Sequence, residues 1–319
     1  MTTSPPHHPP RTPFGRDTTA AQVLAGTDLS ERTALVTGGY SGLGLESTRA
    51  LSRAGARVLV PARRPDAGRR ATAGMQRVDV GQLDLADMSS IRRYAHQLLD
   101  TGTTIDILIC GAGVMAIPES RVGPGWEGHF AVNHLGHHAL VNLLRPALQP
   151  GSRVVVLSSA GHFLSGIRWH DPQLTTGYDR WIAYAQSKTA NALFALHLDA
   201  LARNADIHAF SVHPGSILTP LQRHIPEVEQ RSLGWIDAHG RPATGFKTPA
   251  QGAATAVWAA TSAQLAGHGG AYCQDCDLAS PATTDDMLVG GYKPWAADPA
   301  GATRLWALSA DLTGLDAFS

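Results

Sequence analysis

Tyr184 and Lys188 stand four positions apart in Tyr184-Ala-Gln-Ser-Lys188. Four residues is just over one helical turn, so the two side chains project from one face. An ammonium beside a phenol favours the phenolate, which predicts a tyrosine pKa lowered toward neutrality. Such a group can hand a proton to a forming alkoxide at working pH. Tyr and Lys also meet at this spacing by chance on many helices, so the pair gains meaning only from what surrounds it.

Upstream, residues 33–37 read as a buried strand followed at once by Gly-Gly-Tyr-Ser-Gly-Leu-Gly and a helix over 45–54. Gly55 stops that helix, and 57–61 form the next strand. This is a βαβ unit of roughly thirty residues with glycines at its first turn. Gly38, Gly42 and Gly44 let the backbone turn sharply and approach a pyrophosphate held at the positive end of the helix. A glycine-rich turn without a ligand is the plainer alternative, and the order strand, loop, helix argues against it.

After the second strand a site for NAD usually carries a carboxylate for the ribose hydroxyls. Here the chain has Arg63 and Arg64 and no acid. Guanidinium forks suit a 2′-phosphate, so NADP(H) is the expected cofactor, with NAD(H) still admissible. A strand over 75–80 leads to Asp84, placed to accept from an adenine amino group. A helix over 89–99 follows, then a strand over 105–110 ending in Gly111-Ala112-Gly113, small residues that allow close approach of a ligand. Residues 125–144 read as one long helix holding Asn133 and four histidines: His129, His134, His137 and His138. His134 and His138 share a face, but with no acid or cysteine beside them they read as partly buried packing residues, and no metal site is expected.

Residues 153–157 form a strand ending at Ser158-Ser159, a hydroxyl where open α/β sheets place their chemistry. A loop over 161–182 carries Phe163, Trp169, Tyr178 and Trp181. The Tyr184 helix runs to about residue 202 with apolar stripes wide enough for two faces, one for the sheet and one that leaves room for a homodimer. A strand over 207–212 precedes an irregular stretch, 216–248, that suits a mobile flap and includes Trp235. A helix over 249–261 and a strand over 270–273 follow. Cys273 and Cys276 lack the second pair that a zinc site needs and read as structural. Phe163, Trp169, Trp181 and Trp235 suggest a roomy apolar substrate pocket.

The bulk properties narrow the class. The 319 residues hold 26 basic and 26 acidic side chains, which gives no reason to expect nucleic acid or an anionic membrane as partner. No apolar run reaches the roughly 20 residues of a bilayer span. The first fifteen residues contain five prolines and no apolar core, so they read as an extended arm and not a signal peptide. Three cysteines fit a reducing, cytoplasmic compartment. The expected organisation is an arm over 1–16, a single α/β domain over 17–289, and an extension over 290–319 that packs back onto it.

In this order the motifs resemble the short-chain dehydrogenase/reductase family over about residues 29–280, nearest the retinol-dehydrogenase and WW-domain-oxidoreductase-like branch and its bacterial relatives. The segments that carry the likeness are TGGYSGLG, PARR, LDL, VNHLGHH, VVVLSSAGH, YAQSK and HPGSILTP. The resemblance implies a Rossmann-type doubly wound parallel sheet with helices on both faces. It implies a catalytic tetrad of Asn133, Ser159, Tyr184 and Lys188, with Asn133 positioning a water that relays protons to Lys188. It also implies cofactor contacts at Tyr40, Ser41, Leu43, Leu85, Pro214, Gly215, Ile217 and Thr219, beside the residues already named, and a role for Lys188 on the nicotinamide ribose. The implied activity is interconversion of a ketone or aldehyde with an alcohol on a bulky lipophilic small molecule. A redox-neutral epimerase, dehydratase or cyclase and an NADP-binding scaffold or sensor are the rival readings. One departure stands out: the family's Asn-Asn-Ala-Gly is here Cys110-Gly111-Ala112-Gly113, which removes an asparagine that ties strands together under the cofactor.

Overall fold

Alternation along the central strands decides the architecture. Val36, Val58, Val60, Ile109, Val155, Leu157, Phe210 and Val212 point to one side of the sheet. Leu35, Leu59, Leu108, Val154, Val156 and Ala209 point to the other. Both sets are buried, as in a parallel sheet covered by helices on each face.

The computed structural model describes residues 12–319. Its strands are β1 Thr33–Thr37, β2 Arg57–Ala62, β3 Val78–Gln82, β4 Ile105–Cys110, β5 Arg121–Val122, β6 Trp126–Glu127, β7 Leu148–Leu157, β8 His208–His213, β9 Tyr272–Gln274 and β10 Asp277–Leu278. Its helices are α1 Ala20–Val23, α2 Gly42–Arg53, α3 Pro65–Ala71, α4 Met88–Asp100, α5 Gly136–Leu143, α6 Arg180–Ala202, α7 Glu227–Ser232, α8 Pro249–Gly252, α9 Ala254–Thr261 and α10 Pro299–Thr313. Eight strands form one sheet in the order β10-β9-β8-β7-β4-β1-β2-β3. All pair in parallel except β10, which runs antiparallel to β9. The order reverses between β1 and β4, so a crevice opens at their carboxyl ends. Helices α2 and α9 cover one face, and α4, α5 and α6 the other. Among the described residues no helix is long and apolar enough to cross a membrane.

Several local expectations are corrected. The long helix expected over 125–144 is a strand (β6), a π-helical stretch Phe130–Leu135, and then α5. Glu127 caps the stretch by accepting from Phe130 N at 2.7 Å, and the wide turn accommodates Asn133, whose amide is drawn to Val114. The helix expected over 249–261 is broken at Ala253 into α8 and α9. Asp275 and Cys276 have positive φ and turn the chain into β10, a hairpin the sequence reading omits. Both cysteines are free and buried. The stretch 216–248 is tied at its neck by an Ile217–Lys247 bridge and by the Lys247–Asp275 ion pair, and it contains α7 and the 3-10 turn Pro220–His224. Of the arm expected over 1–16, residues 1–11 lie outside the described residues, and Phe14 packs against the core.

Helix α10 occupies the second face of α6, the face expected to leave room for a partner subunit. Trp306 stacks on Phe194 at 5.8 Å and donates from Nε1 to Asp316 Oδ1 at 2.9 Å. The chain's own C-terminal helix therefore removes the apolar reason for a dimer at that surface.

Beneath α10 the histidines are fully buried and not partly so. Ser309 Oγ donates to Leu305 O at 2.8 Å, so it accepts from His134 Nε2 at 2.7 Å. His134 Nδ1 is left without a partner. His138 Nδ1 meets Thr313 Oγ1 at 3.3 Å in the same way, since that hydroxyl donates to Ser309 O. No group of three metal-ligating side chains occurs among the described residues. Burial, first among its causes, holds His134 well below the ordinary histidine pKa, and burial pushes His137 and His138 down to about 4. Between pH 6.5 and about 4 the unfolded chain therefore binds protons that the native state refuses, so stability rises with pH there and is lost on acidification. Each such histidine removes roughly 1.4 kcal/mol per pH unit. Urea midpoints taken from pH 7 to pH 5 are expected to fall steeply; a flat profile would contradict neutral burial of these rings.

Candidate active site

The glycine loop opens the site. Gly38 and Gly42 have positive φ, 71° and 50°, and a Cβ on Gly38 would come within 2.9 Å of the Ala112 backbone. A Cβ on Gly44 would sit 2.3 Å from Gly38 O. Ser41 caps α2 without a side-chain hydrogen bond, which leaves the first-turn amides of a twelve-residue helix facing the crevice. A cleft of about 300 Å³ runs from this loop to the ends of β2 and β4. It is lined by Gly38, Tyr40, Ser41, Gly42, Leu43, Gly44, Arg63, Arg64, Asp84, Leu85, Gly111, Ala112, Gly113 and Thr219. Loop, helix terminus and basic rim fit a dinucleotide: the loop for its pyrophosphate, the rim for the adenosine end. Pro214, Gly215 and Ile217 are not part of that lining; a Gly215 Cβ would press on Lys247, and Ile217 is buried.

The residues expected to react converge beyond Gly113. Tyr184, buried on α6, is hydrogen-bonded to the Ser159 side chain, and Ser159 Oγ accepts from Gly161 N at 3.1 Å. Ser158 does a different job, donating to Lys188 O at 2.9 Å. Lys188 Nζ donates to Leu157 O at 2.9 Å and lies 5.7 Å from the centre of the Tyr184 ring. A Cβ on Gly113 would meet Asn133 Oδ1 at 3.0 Å and Lys188 Nζ at 3.9 Å, so these two side chains flank the same point. The structure thus brings all four tetrad residues together. Asn133 Oδ1 accepts from Val114 N at 2.8 Å, and its Nδ2 donates to Val114 O and Ser187 Oγ. The Asn133 side-chain amide thus clamps the backbone after Gly113.

The lowered tyrosine pKa is not what this arrangement produces. Burial, the largest cause, raises Tyr184 to about 12, with the Ser159 hydrogen bond opposing it. Burial also lowers Lys188 to about 8. Desolvation acts on both charged forms at once and outweighs their mutual attraction. Tyr184 is therefore a protonated donor at neutral pH.

Of the four aromatic residues expected at a substrate pocket, two lie against Tyr184. Trp181 and Trp235 pack around Tyr184 with Met115, Leu221 and Ile225, the two indoles meeting edge to face at 5.9 Å. Phe163 instead lies under Lys293, whose ammonium is 4.9 Å from its ring. Trp169 is covered by Arg304 of α10 at 4.4 Å. Loop composition does not show which way a ring turns, and these two turn toward cationic neighbours.

Thr37, His137 and Arg223 were missed. Thr37 Oγ1 accepts from Gly111 N at 2.9 Å and Ala112 N at 3.1 Å. His137 Nδ1 donates to Asn133 O at 2.9 Å, so its Nε2 is the acceptor for the Thr37 hydroxyl at 2.9 Å. This chain of bonds ties β1, the end of β4 and the Asn133 turn, the work expected of the absent asparagine. Arg223 lines the cleft beside Arg63 and Arg64. Only the threonine carried a signal, as the last residue before the glycine loop.

A family profile described as short chain dehydrogenase matches residues 32–230. A Streptomyces lividans protein named "Probable oxidoreductase" is 41% identical over 295 residues, covering 89% of this chain and 98% of the relative. Human retinol dehydrogenase 11 is 35% identical over 297 residues, covering 90% and 87%. Among solved structures, an uncharacterized protein from Mycobacterium paratuberculosis superposes with TM-score 0.73 at 33% identity over 95% of this chain and 99% of that one. The Pseudomonas aeruginosa RhlG/NADP active-site complex superposes with TM-score 0.58 at 26% identity over 77% and 95%.

Thr37→Val keeps the volume of the side chain but leaves Ala112 N without its acceptor and Gly111 N with Ile109 O alone. The expected cost is about 2 kcal/mol of stability, with weaker dinucleotide binding, while Thr37→Ser retains both. Urea unfolding and calorimetric titration check this; a valine variant unchanged in both would remove Thr37 from the floor of the site.

Proposed function

The chain belongs to the short-chain dehydrogenase family, and from that footing we propose that it is an NADP(H)-dependent oxidoreductase interconverting a ketone or aldehyde with an alcohol on a bulky lipophilic substrate. The observation that carries this reading is the Tyr184 phenol, hydrogen-bonded to Ser159 and standing beside Lys188, whose ammonium flanks the Gly113 that lines the dinucleotide cleft. The bound nicotinamide supplies hydride chemistry, which no side chain can.

The chain's own residues do the rest. Ser159 and Tyr184 hydroxyls hold the substrate oxygen where negative charge develops. Tyr184, held protonated by burial, gives its proton to that oxygen in the direction of carbonyl reduction. Lys188, anchored on Leu157 O, sets a positive charge beside the phenol in its protonated form. Asn133 fixes the backbone on which Gly113 and Val114 pass the site. Arg63 and Arg64, with no carboxylate replacing them at the end of β2, favour the 2′-phosphate of NADP(H). A structural neighbour determined with NADP points the same way. For the substrate, the support is the wall of Met115, Trp181, Leu221, Ile225 and Trp235 around Tyr184, together with a relative named for retinol.

The test is a panel of lipophilic ketones, aldehydes and alcohols followed at the reduced-nicotinamide absorbance, with NADPH and NADH in parallel. Net consumption of NADPH is expected, whereas product formed with no change at that band would mean redox-neutral chemistry. Tyr184→Phe should keep dinucleotide affinity within about twofold and lose roughly 10²–10⁴ in kcat. Near-native turnover in that variant would take the proton-donor role away from Tyr184.

A further inference from the structure

The 3-10 turn Pro220–His224 reaches two neighbours. Leu221 and Ile225, just past its end, pack in the apolar cluster around Tyr184. Arg223, between them, lines the dinucleotide cleft with Arg63 and Arg64, near enough for their charges to act on it.

Elsewhere many arginines of this chain sit against acids, as in Arg32–Asp106, Arg57–Asp79, Arg121–Glu119 and Arg180–Glu229. Among the described residues Arg63, Arg64 and Arg223 form no such pair. The nearby carboxylate in the cleft, on Asp84, accepts from Ala86 N instead. Three like charges at one rim repel each other, and an oxyanion among them relieves that repulsion while accepting their planar donor forks. Arg63 and Arg64 come from the fixed end of β2, whereas Arg223 comes from the stretch that walls the substrate pocket.

The turn that carries Arg223 is stiff. Thr219 Oγ1 accepts from Leu221 N at 3.2 Å, Gln222 Oε1 accepts from Thr219 N at 2.9 Å, and Gln222 Nε2 donates to Ile217 O at 2.8 Å. A pull on Arg223 is therefore transmitted to Leu221 and Ile225 without being absorbed by loose backbone.

We propose that Arg223 completes the 2′-phosphate site begun by Arg63 and Arg64, and that occupation of this site fixes the Leu221–Ile225 wall of the substrate pocket. This rests on the NADP(H) reading above, and the test separates the two. 2′,5′-ADP and 5′-AMP differ only in the 2′-phosphate and are titrated calorimetrically into the full chain. The wild type should bind 2′,5′-ADP at least about tenfold more tightly. Arg223→Ala should lose roughly tenfold for 2′,5′-ADP and less than about twofold for 5′-AMP. Arg223→Lys should fall between them, because an ammonium keeps the charge without the fork. In the wild type, 2′,5′-ADP but not 5′-AMP should slow amide exchange across residues 219–225, and Arg223→Ala should abolish that difference.

Equal binding of the two nucleotides by the wild type would overturn the NADP(H) reading and this inference together. Discrimination lost in Arg63→Ala but intact in Arg223→Ala would overturn the inference alone. Unchanged exchange over 219–225 would overturn the coupling to the substrate wall.

Discussion

The site depends on what happens where the sheet order reverses. Connections leave β1 and β4 in opposite directions, so the backbone after β4 loses its ladder partners at the place a ligand must approach. Ala112 N would be a part-buried donor without an acceptor there, a cost of about 1–3 kcal/mol, and Gly111 N would keep only the Ile109 carbonyl at 3.0 Å. One hydroxyl, on Thr37, accepts from both. Its own hydrogen goes to His137, whose other nitrogen holds the Asn133 carbonyl. The direction of every bond in this series is fixed by the last acceptor, a backbone carbonyl, so the ring is locked as one neutral tautomer. Replacement of the expected asparagine by Cys110-Gly111 leaves the floor tied through a threonine and a histidine.

The chemistry at Tyr184 and Lys188 turns on a competition of magnitudes. Two opposite charges a few ångströms apart gain a few kcal/mol at the effective dielectric of a protein interior. Desolvating either ion costs at least as much. With both groups fully buried, the neutral acid and a labile ammonium win: the phenol moves up to about 12 and the amine down to about 8. Sequence spacing identifies the pair but not this balance, since burial is a property of the fold. The consequence is directional, because a phenol that keeps its proton is equipped to donate one.

Much of the fold and part of the site could be read from one-dimensional patterns. Continuous apolar runs such as Val154-Val155-Val156 mark strands covered on both faces, and Gly38, Gly42 and Gly44 mark the turn that meets a helix terminus. Ser159 was separable from Ser158 only by likeness to relatives; in space the two hydroxyls serve Tyr184 and the Lys188 carbonyl respectively. What escaped was set by tertiary contact. The π turn exists because Asn133 is drawn to Val114 while Glu127 caps the start. Phe163 and Trp169 turned toward Lys293 and Arg304, partners more than a hundred residues away, and no local signal carries such a choice. Arg223 sits in a stretch without periodicity, and only the folding of that stretch over the cleft brings it to Arg63 and Arg64.

Helix α6 shows how these levels join. It carries Tyr184 and Lys188, so any motion of the helix is motion of the proposed proton donor. One side of it packs on the sheet through Phe194, Ala195 and Leu198, and the other is held by α10 through Trp306 and the buried His134 and His138. Those two rings donate to hydroxyls whose own hydrogens are committed to helix carbonyls, so the interface is joined through neutral rings. A second subunit could have covered the same apolar face, but its hold on the helix would then vary with concentration. Covering it with the same chain ties the position of the phenol to α10 of that chain.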